Sequence, residues 1–228
     1  MTRRRPGLQR KWGYVVNSLQ EIILSYEEAS SIISLYADRW MRARAVSFAV
    51  RKGSLVLDLG AGPGVMSRLV ESKGGEPVLL DVSQAMLSAS QFPNRVRGTF
   101  EFLPFRTGVF DSAVSGFALR DAHDLYKAIG ELARTIKPGG RFSFCDLGKP
   151  DSRLLALLVA FYLRTMPAVI GLATAGRPGV LYGSIFDTYI LAPHNSELKK
   201  ALSLRFKAVD IKETQLGGSI VAECVKRF

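Results

Sequence analysis

Leu55-Val56-Leu57-Asp58-Leu59-Gly60-Ala61-Gly62-Pro63-Gly64 is the stretch whose reading decides the fold. A short apolar run ends in an acid and then in glycines at alternate positions. This is the pattern of a strand, a sharp turn and a helix, in which glycine lets the backbone turn and approach a ligand in conformations that a Cβ would obstruct. The spacing is GxGxG, not GxGxxG, and an acid precedes it. A pyrophosphate cradle favours neutral or positive surroundings, so Asp58 argues against a dinucleotide and for a cationic ligand carrying an α-amino group.

Outward from this turn the chain alternates strand and helix. Val78-Leu79-Leu80 is a second apolar run ending in Asp81, Phe110 to Val114 starts a third, and Arg141 to Leu147 reads as a later strand. Residues 122–137 carry Leu125, Ile129, Leu132, Ala133 and Ile136 on one helical face, stopped by Lys137-Pro138-Gly139-Gly140. The rhythm predicts an α/β fold with a mostly parallel sheet covered on both faces. Near the C-terminus, Phe206 to Glu213 and Ser219 to Val225 are separated by a connection around Leu216-Gly217-Gly218 too short for a parallel crossover, which predicts an antiparallel hairpin. Upstream, Leu19, Ile22, Ile23, Tyr26, Ile32, Ile33, Tyr36 and Trp40 recur at helical steps, so residues 18–50 read as N-terminal helices. Residues 1–17 read as a basic flexible tail, 18–228 as a single domain, and 151–195 as a helical lid inserted in it.

The chain has 228 residues and a formal net charge of +11, enough length for one domain with a sizeable core. Arg3, Arg4, Arg5, Arg10 and Lys11 all precede the first acid, Glu21. That excess points to nucleic acid or an acidic membrane surface, with a solvated basic face as the plain alternative. No apolar run of the kind that marks a secretory signal follows the basic cluster. Cys145 and Cys224 lack the spacing of a zinc or redox site, so no metal is expected and a reducing, cytoplasmic setting is. Leu154 to Gly176 is the most apolar stretch, but it contains Arg164, and an Arg at the centre of a span costs roughly 2.5–3.5 kcal/mol. A lid that shields an apolar pocket or touches a membrane fits better than a spanning helix; a plain core helix is the competitor.

Asp81 ends its strand about 20 residues beyond the glycines, where a carboxylate can accept both hydroxyls of a ribose. Two acids flanking a glycine turn describe an S-adenosylmethionine site, with Asp58 near the methionyl ammonium and Asp81 on the ribose. The alternative for Asp81 is a cap on the helix starting near Ser83. From about Tyr26 onward the chain resembles the UbiE-type family, the C-methyltransferases of menaquinone and ubiquinone biosynthesis. The resemblance rests on Leu80-Asp81-Val82-Ser83 with Ala85-Met86-Leu87, Leu103-Pro104-Phe105, Phe110-Asp111, Phe117-Ala118-Leu119-Arg120-Asp121, the run Leu132 to Arg141, Cys145 to Pro150, and Leu216-Gly217-Gly218. Asp38 stands roughly where the family has His, Trp40 is one residue early, Thr99 replaces the acid expected after Gly98, and Asp121 replaces Asn.

The resemblance implies a class I methyltransferase, Rossmann-like, with a seven-stranded sheet. It implies S-adenosylmethionine held by Asp58, Gly60, Ala61, Gly62, Gly64, Asp81, Val82, Met86, Phe100, Glu101 and Phe117, and Arg120 working near the acceptor. A ring carbon becomes nucleophilic when its phenol ionises, and a guanidinium can stabilise that charge but is a poor base, which leaves Asp121 and His123 as candidates. For His123 a surface place near a helix start is the alternative, as it is for His194; Arg120 can equally serve a structural ion pair. Tyr26, Tyr182 and Tyr189 are expected around the acceptor or in aromatic packing. The implied acceptor is a lipophilic quinone precursor, reached by peripheral contact with the inner face of an anionic membrane, and a homodimer is compatible with it. Alternatives are a different small molecule or RNA, against which stands the lack of a base-methylating N/D-P-P-Y/W element, or a non-catalytic binding subunit.

Overall fold

Along the inner strands, neighbouring residues bury into opposite layers, as a sheet covered on both faces requires. The computed structural model describes residues 31–177 and 182–228. The strands are β1 Leu55–Leu59, β2 Glu76–Asp81, β3 Arg95–Arg97, β4 Phe110–Gly116, β5 Ile136–Leu147, β6 Phe206–Thr214 and β7 Ser219–Lys226, in the order β3-β2-β1-β4-β5-β7-β6. Pairing is parallel from β3 through β5 and antiparallel for β5 with β7 and β6 with β7. The seven-stranded sheet and the C-terminal hairpin are thus as the sequence led us to expect.

The helices are α1 Ala37–Ala49, α2 Val65–Ser72, α3 Gln84–Ser88, α4 Leu125–Thr135, α5 Arg153–Ala175, α6 Ser184–Leu191 and α7 Asn195–Ser203. Val56, Val114, Cys145 and Val221 turn to one layer, where Met41, Ala45, Val46 and Ala49 of α1 and Met66 and Val70 of α2 meet them. Leu57, Ala113, Phe142, Phe144 and Ala222 turn the other way, onto Ile129 and Leu132 of α4 and Leu198 and Leu202 of α7. Cys145 and Cys224 are free and buried, and burial pushes both thiols up to about 12.

Three local expectations need correction. The helical reading of residues 18–50 breaks at Leu35 and Tyr36, both at positive φ, before α1 begins; residues 18–30 lie outside the described residues. Tyr36 and Trp40 are 62% and 51% exposed, and the buried face is Asp38, Met41, Arg42, Ala45, Val46 and Ala49, because the break rotates the helix and two charged residues take core positions. β5 also starts at Ile136 rather than Arg141, with a register shift where it passes β4. α4 therefore ends at Thr135, and Ile136 and the expected stop Lys137-Pro138-Gly139-Gly140 lie within β5.

The insertion is the pair α5 and α6. Its two ends are clamped together: Asn195 N–H donates to the Lys149 carbonyl, and Lys149 N–H donates to Asn195 Oδ1, each at 2.8 Å. One side of α5 is tied down, with Tyr162 Oη donating to the Ile33 carbonyl at 2.8 Å and the Ala156 carbonyl accepting from Tyr189 Oη at 2.9 Å. The helix is long and apolar enough to cross a membrane. Its anchored side instead holds it on the domain.

Candidate functional site

The sheet order reverses between β1 and β4, and the cleft lies at the C-terminal ends of the strands beside that reversal, the general place for a ligand in an open α/β sheet. It has an empty volume of about 590 Å³. Gly60, Ala61 and Gly62 form one wall, Asp81, Val82 and Met86 another, and Phe117 and Asp121 a third. Gly60 stands at φ 72°, and a Cβ there would overlap the Ala118 methyl. Gly64 is the N-cap of α2 and does not line the cleft; its requirement is packing against Ser90 and Phe92.

Asp81 joins two turns. Its Oδ2 accepts Gly62 N–H at 2.9 Å and its Oδ1 accepts Ser83 N–H at 2.8 Å. Ser83, not Asp81, caps α3, its hydroxyl accepting Met86 N–H at 3.2 Å. Each Asp81 oxygen retains a lone pair for a ribose hydroxyl. Burial raises its carboxyl above the usual range, against the two backbone bonds.

Asp58 is fully buried beneath the glycine turn and is not on the cleft surface. Oδ2 accepts the Ser67 hydroxyl at 2.6 Å, while Oδ1 has no hydrogen-bond partner. Burial pushes this carboxyl up to about 6, against the Ser67 bond and the Arg42 charge. Arg42 was not foreseen. It is buried, lines the cleft, lies over the Phe117 ring at 4.9 Å, and leaves its Nε without a hydrogen bond, 3.9 Å from Asp38. Arg42 on the cleft lining suits the carboxylate of an amino-acid ligand and Asp81 suits a ribose, while Asp58 adds negative charge from beneath the glycine turn, so the residues fit S-adenosylmethionine. The signal in the sequence was the i,i+4 pair Asp38 and Arg42 on an otherwise apolar helical face.

The turn after β4 carries the remaining candidates. Phe117, at φ 61°, lines the cleft and leads into a single 3-10 turn, Leu119–Asp121. Arg120 points away from the cleft lining: its guanidinium pairs with Asp146 at the end of β5, donates to the Phe117 carbonyl at 2.8 Å, and donates through Nε to Thr188 Oγ of α6 at 3.0 Å. The expected stabiliser of acceptor charge is therefore a strut between site and lid. Asp121 does face the cleft. Burial pushes its carboxyl up to about 7; Arg120 pulls it down, and Asp146 and Asp81 push it further up.

Other expectations fall away from the site. His123 is exposed and off the cleft lining. His194 precedes α7, with its N–H donating to Glu197 at 3.1 Å, a helix-start role. Glu101 is buried and accepts Asp124 N–H at 3.0 Å, so it positions the chain ahead of α4 instead of meeting the cofactor. Phe100 packs at the core edge beside Gly60, behind the cleft surface. Tyr182 is buried with Ile33, Ile170 and Ile185, and Tyr189 is buried against α5, so both are packing residues of the lid. Tyr26 lies outside the described residues.

Known proteins agree with this geometry. A methyltransferase-domain family model matches residues 57–144. The chain is 31% identical over 227 residues to the demethylmenaquinone methyltransferase of Mycolicibacterium gilvum, covering 96% of both chains. It is 32% identical over 222 residues to that of Mycobacterium marinum, covering 96% of this chain and 95% of the other. Among solved structures, an S-adenosylmethionine-dependent methyltransferase from Thermotoga maritima superposes with TM-score 0.66 at 16% identity, over 93% of this chain and 100% of that one.

Replacing Asp81 with Ala should weaken S-adenosylmethionine binding at least about tenfold by calorimetry, about 1.4 kcal/mol, since ribose acceptor and turn anchor go together. Unchanged affinity removes Asp81 from the ribose. The raised carboxyls also set a pH dependence. Asp58 and Asp121 hold their protons in the folded protein to about 6 and about 7, against an unfolded value near 3.9. Their contribution to stability is complete below the unfolded value and is lost as pH rises through 6 and 7. Ligand-free protein should melt at a lower temperature at about pH 8 than at about pH 5, with saturating cofactor narrowing the gap; a flat profile contradicts this.

Proposed function

The chain belongs to the UbiE-type family of class I S-adenosylmethionine-dependent methyltransferases, and from that premise we propose that it methylates a ring carbon of a prenylated hydroquinone, of the demethylmenaquinol kind, at the surface of an anionic membrane. When bound, S-adenosylmethionine supplies a methyl group made electrophilic by its sulfonium. Gly60 and Gly62 would admit it closely, Asp81 would hold the ribose, and Arg42 would face the amino-acid end, with Asp58 acting on it electrostatically from beneath the turn. Arg120 fixes the turn that closes the cleft and links it to the lid, so that lid position and site geometry are set together.

The observation that carries the lipid half of this reading is the outward side of α5. Leu154, Leu157, Leu158, Phe161, Val169 and Leu172 are each more than half exposed and recur at three- and four-residue steps; Phe161 reaches 71%. Further exposed apolar side chains lie on two segments joined to each other. The turn holding exposed Leu216 is bonded to the segment before α1, Gln215 Nε2 donating to the Ser34 carbonyl at 2.6 Å, and Leu35, Tyr36 and Trp40 are exposed there. A contiguous exposed apolar surface on a soluble fold marks a partner or a membrane. α5 contains Arg153 and Arg164 and no acid, and the tail adds five cations ahead of its first acid. Each basic residue near an anionic surface contributes about 1 kcal/mol. An anionic bilayer is the occupant that supplies apolar volume and negative charge together.

Two experiments test this. With labelled S-adenosylmethionine, turnover should rise steeply with prenyl chain length before levelling; equal rates on unprenylated rings, or label entering an RNA extract in preference to a lipid extract, rejects the lipid acceptor. Vesicles with anionic lipid should sediment the full chain, and changing Leu157 and Phe161 together to Glu should cut the bound fraction about tenfold or more while the melting temperature holds. Equal partitioning of the variant removes α5 from the membrane contact.

A further inference from the structure

The reaction needs a group to take a proton from the ring hydroxyl, and among the described residues two carboxylates line the cleft, those of Asp81 and Asp121. Among the carboxylates that line the cleft, Asp81 already accepts a backbone N–H on each oxygen. Asp121 differs. Its Oδ1 is buried and accepts no hydrogen bond, and the nearest cation, Arg120 Nε, lies 3.6 Å from it. That nitrogen is committed to Thr188, and the same guanidinium is paired with Asp146. Asp146 in turn accepts the Arg120 and Leu147 backbone N–H groups at 3.1 and 2.8 Å, so it is satisfied without Asp121. A buried acceptor left open is costly unless something fills it.

We propose that Asp121 is the general base of the reaction, its carboxylate accepting the proton of the ring hydroxyl next to the carbon that is methylated. The inference rests on the hydroquinone reading above. In the step, the O–H bond breaks, the proton goes to Asp121 and both electrons stay on the ring oxygen, so the carboxylate becomes neutral as the ring becomes anionic. The ring carbon then takes the methyl that S-adenosylmethionine supplies when bound, as the S–CH3 bond breaks with both electrons staying on sulfur. The methylated carbon loses its C–H proton to solvent and the ring oxygen regains one, so that one proton is released per methyl transferred. After turnover the Asp121 proton leaves to water.

The surroundings suit the task. Burial raises the Asp121 carboxyl, Arg120 of the same turn lowers it, and Asp146 of β5 and Asp81 of β2 raise it, which together hold it at about 7; Arg42 of α1 also lines the cleft. A base with such an affinity for protons is ionised at working pH and still strong enough to accept one. His123, the other candidate, is exposed and off the cleft lining.

The test compares wild type with Asp121→Asn, nearly the same in shape, and with Asp121→Glu. For a prenylated hydroquinone, kcat/KM of the wild type should rise with pH through about 7; Asp121→Asn should lose about 10²-fold or more and that rising limb, and Asp121→Glu should restore the limb. Separately from turnover, calorimetry with S-adenosylhomocysteine bound should show 1-naphthol gaining affinity over 1-methoxynaphthalene as pH rises through the same range in wild type, with no such gain in Asp121→Asn. Affinities of Asp121→Asn for S-adenosylmethionine and S-adenosylhomocysteine should both stay within about threefold of wild type. A selective loss for S-adenosylmethionine would assign the carboxylate to the sulfonium and overturn the proposal. So would a pH-independent naphthol preference in wild type or an unchanged one in Asp121→Asn. If wild type methylates no hydroquinone yet shows the naphthol preference, the substrate reading fails and the base stands.

Discussion

Asp81 ties the two turns of the site to each other, and the cleft has its shape because of that tie. Through its two oxygens it holds Gly62 N–H of the turn after β1 and Ser83 N–H of the turn after β2. Both turns lie where parallel strands end, with their peptide groups unpaired by the sheet. A single side chain satisfies donors from two loops that would otherwise move independently. The cost is a buried carboxylate, and burial raises it accordingly. That cost recurs in Asp58 and Asp121, whose carboxyls burial raises to about 6 and about 7, so three carboxyls cluster around the ligand-free cleft without enough cations to hold all of them ionised. A zwitterionic, cationic ligand relieves it in a way that a phosphate cannot.

Arg120 distributes the strain differently. Its contacts run to the carbonyl of Phe117 in the turn after β4, to Asp146 at the end of β5 and to Thr188 of α6. Breaking a buried pair of this kind leaves an uncompensated charge worth about 3–5 kcal/mol, so the turn is held rigidly. One of the three contacts is to Thr188, so a single side chain joins α6 to the turn that carries Phe117 and Asp121.

The layers of the sheet, the glycine turn, Asp81 and the C-terminal hairpin were legible in the sequence because each is set by local spacing. Apolar runs, alternate glycines and a connection too short for a crossover act over a few residues. Strand β3 escaped notice since Arg95-Val96-Arg97 is short and mostly charged, as an edge strand can be. The break at Leu35 and Tyr36 uses left-handed backbone at residues that carry no glycine signal, and it moved Tyr36 and Trp40 from the expected core to the surface. Arg120 and Asp146 are 26 residues apart, and no spacing rule predicts that they meet. Glu101 was misread for the same reason: its partner, the Asp124 N–H, is 23 residues on.

Tyr182 and Tyr189 show where residue chemistry alone misleads. Both have the composition of an acceptor site, yet they are spent on holding the lid, Tyr189 through the Ala156 carbonyl. Anchoring α5 by tyrosines on its inner side is what permits its outer side to remain apolar. A helix packed by apolar contacts alone would have two equivalent faces, and either could turn inward. The buried hydroxyls of Tyr162 and Tyr189 need specific carbonyl partners, Ile33 and Ala156, which fixes the rotation of the helix about its axis. The polar bonds beneath α5 thus fix which face of the helix turns to the domain and which to solvent.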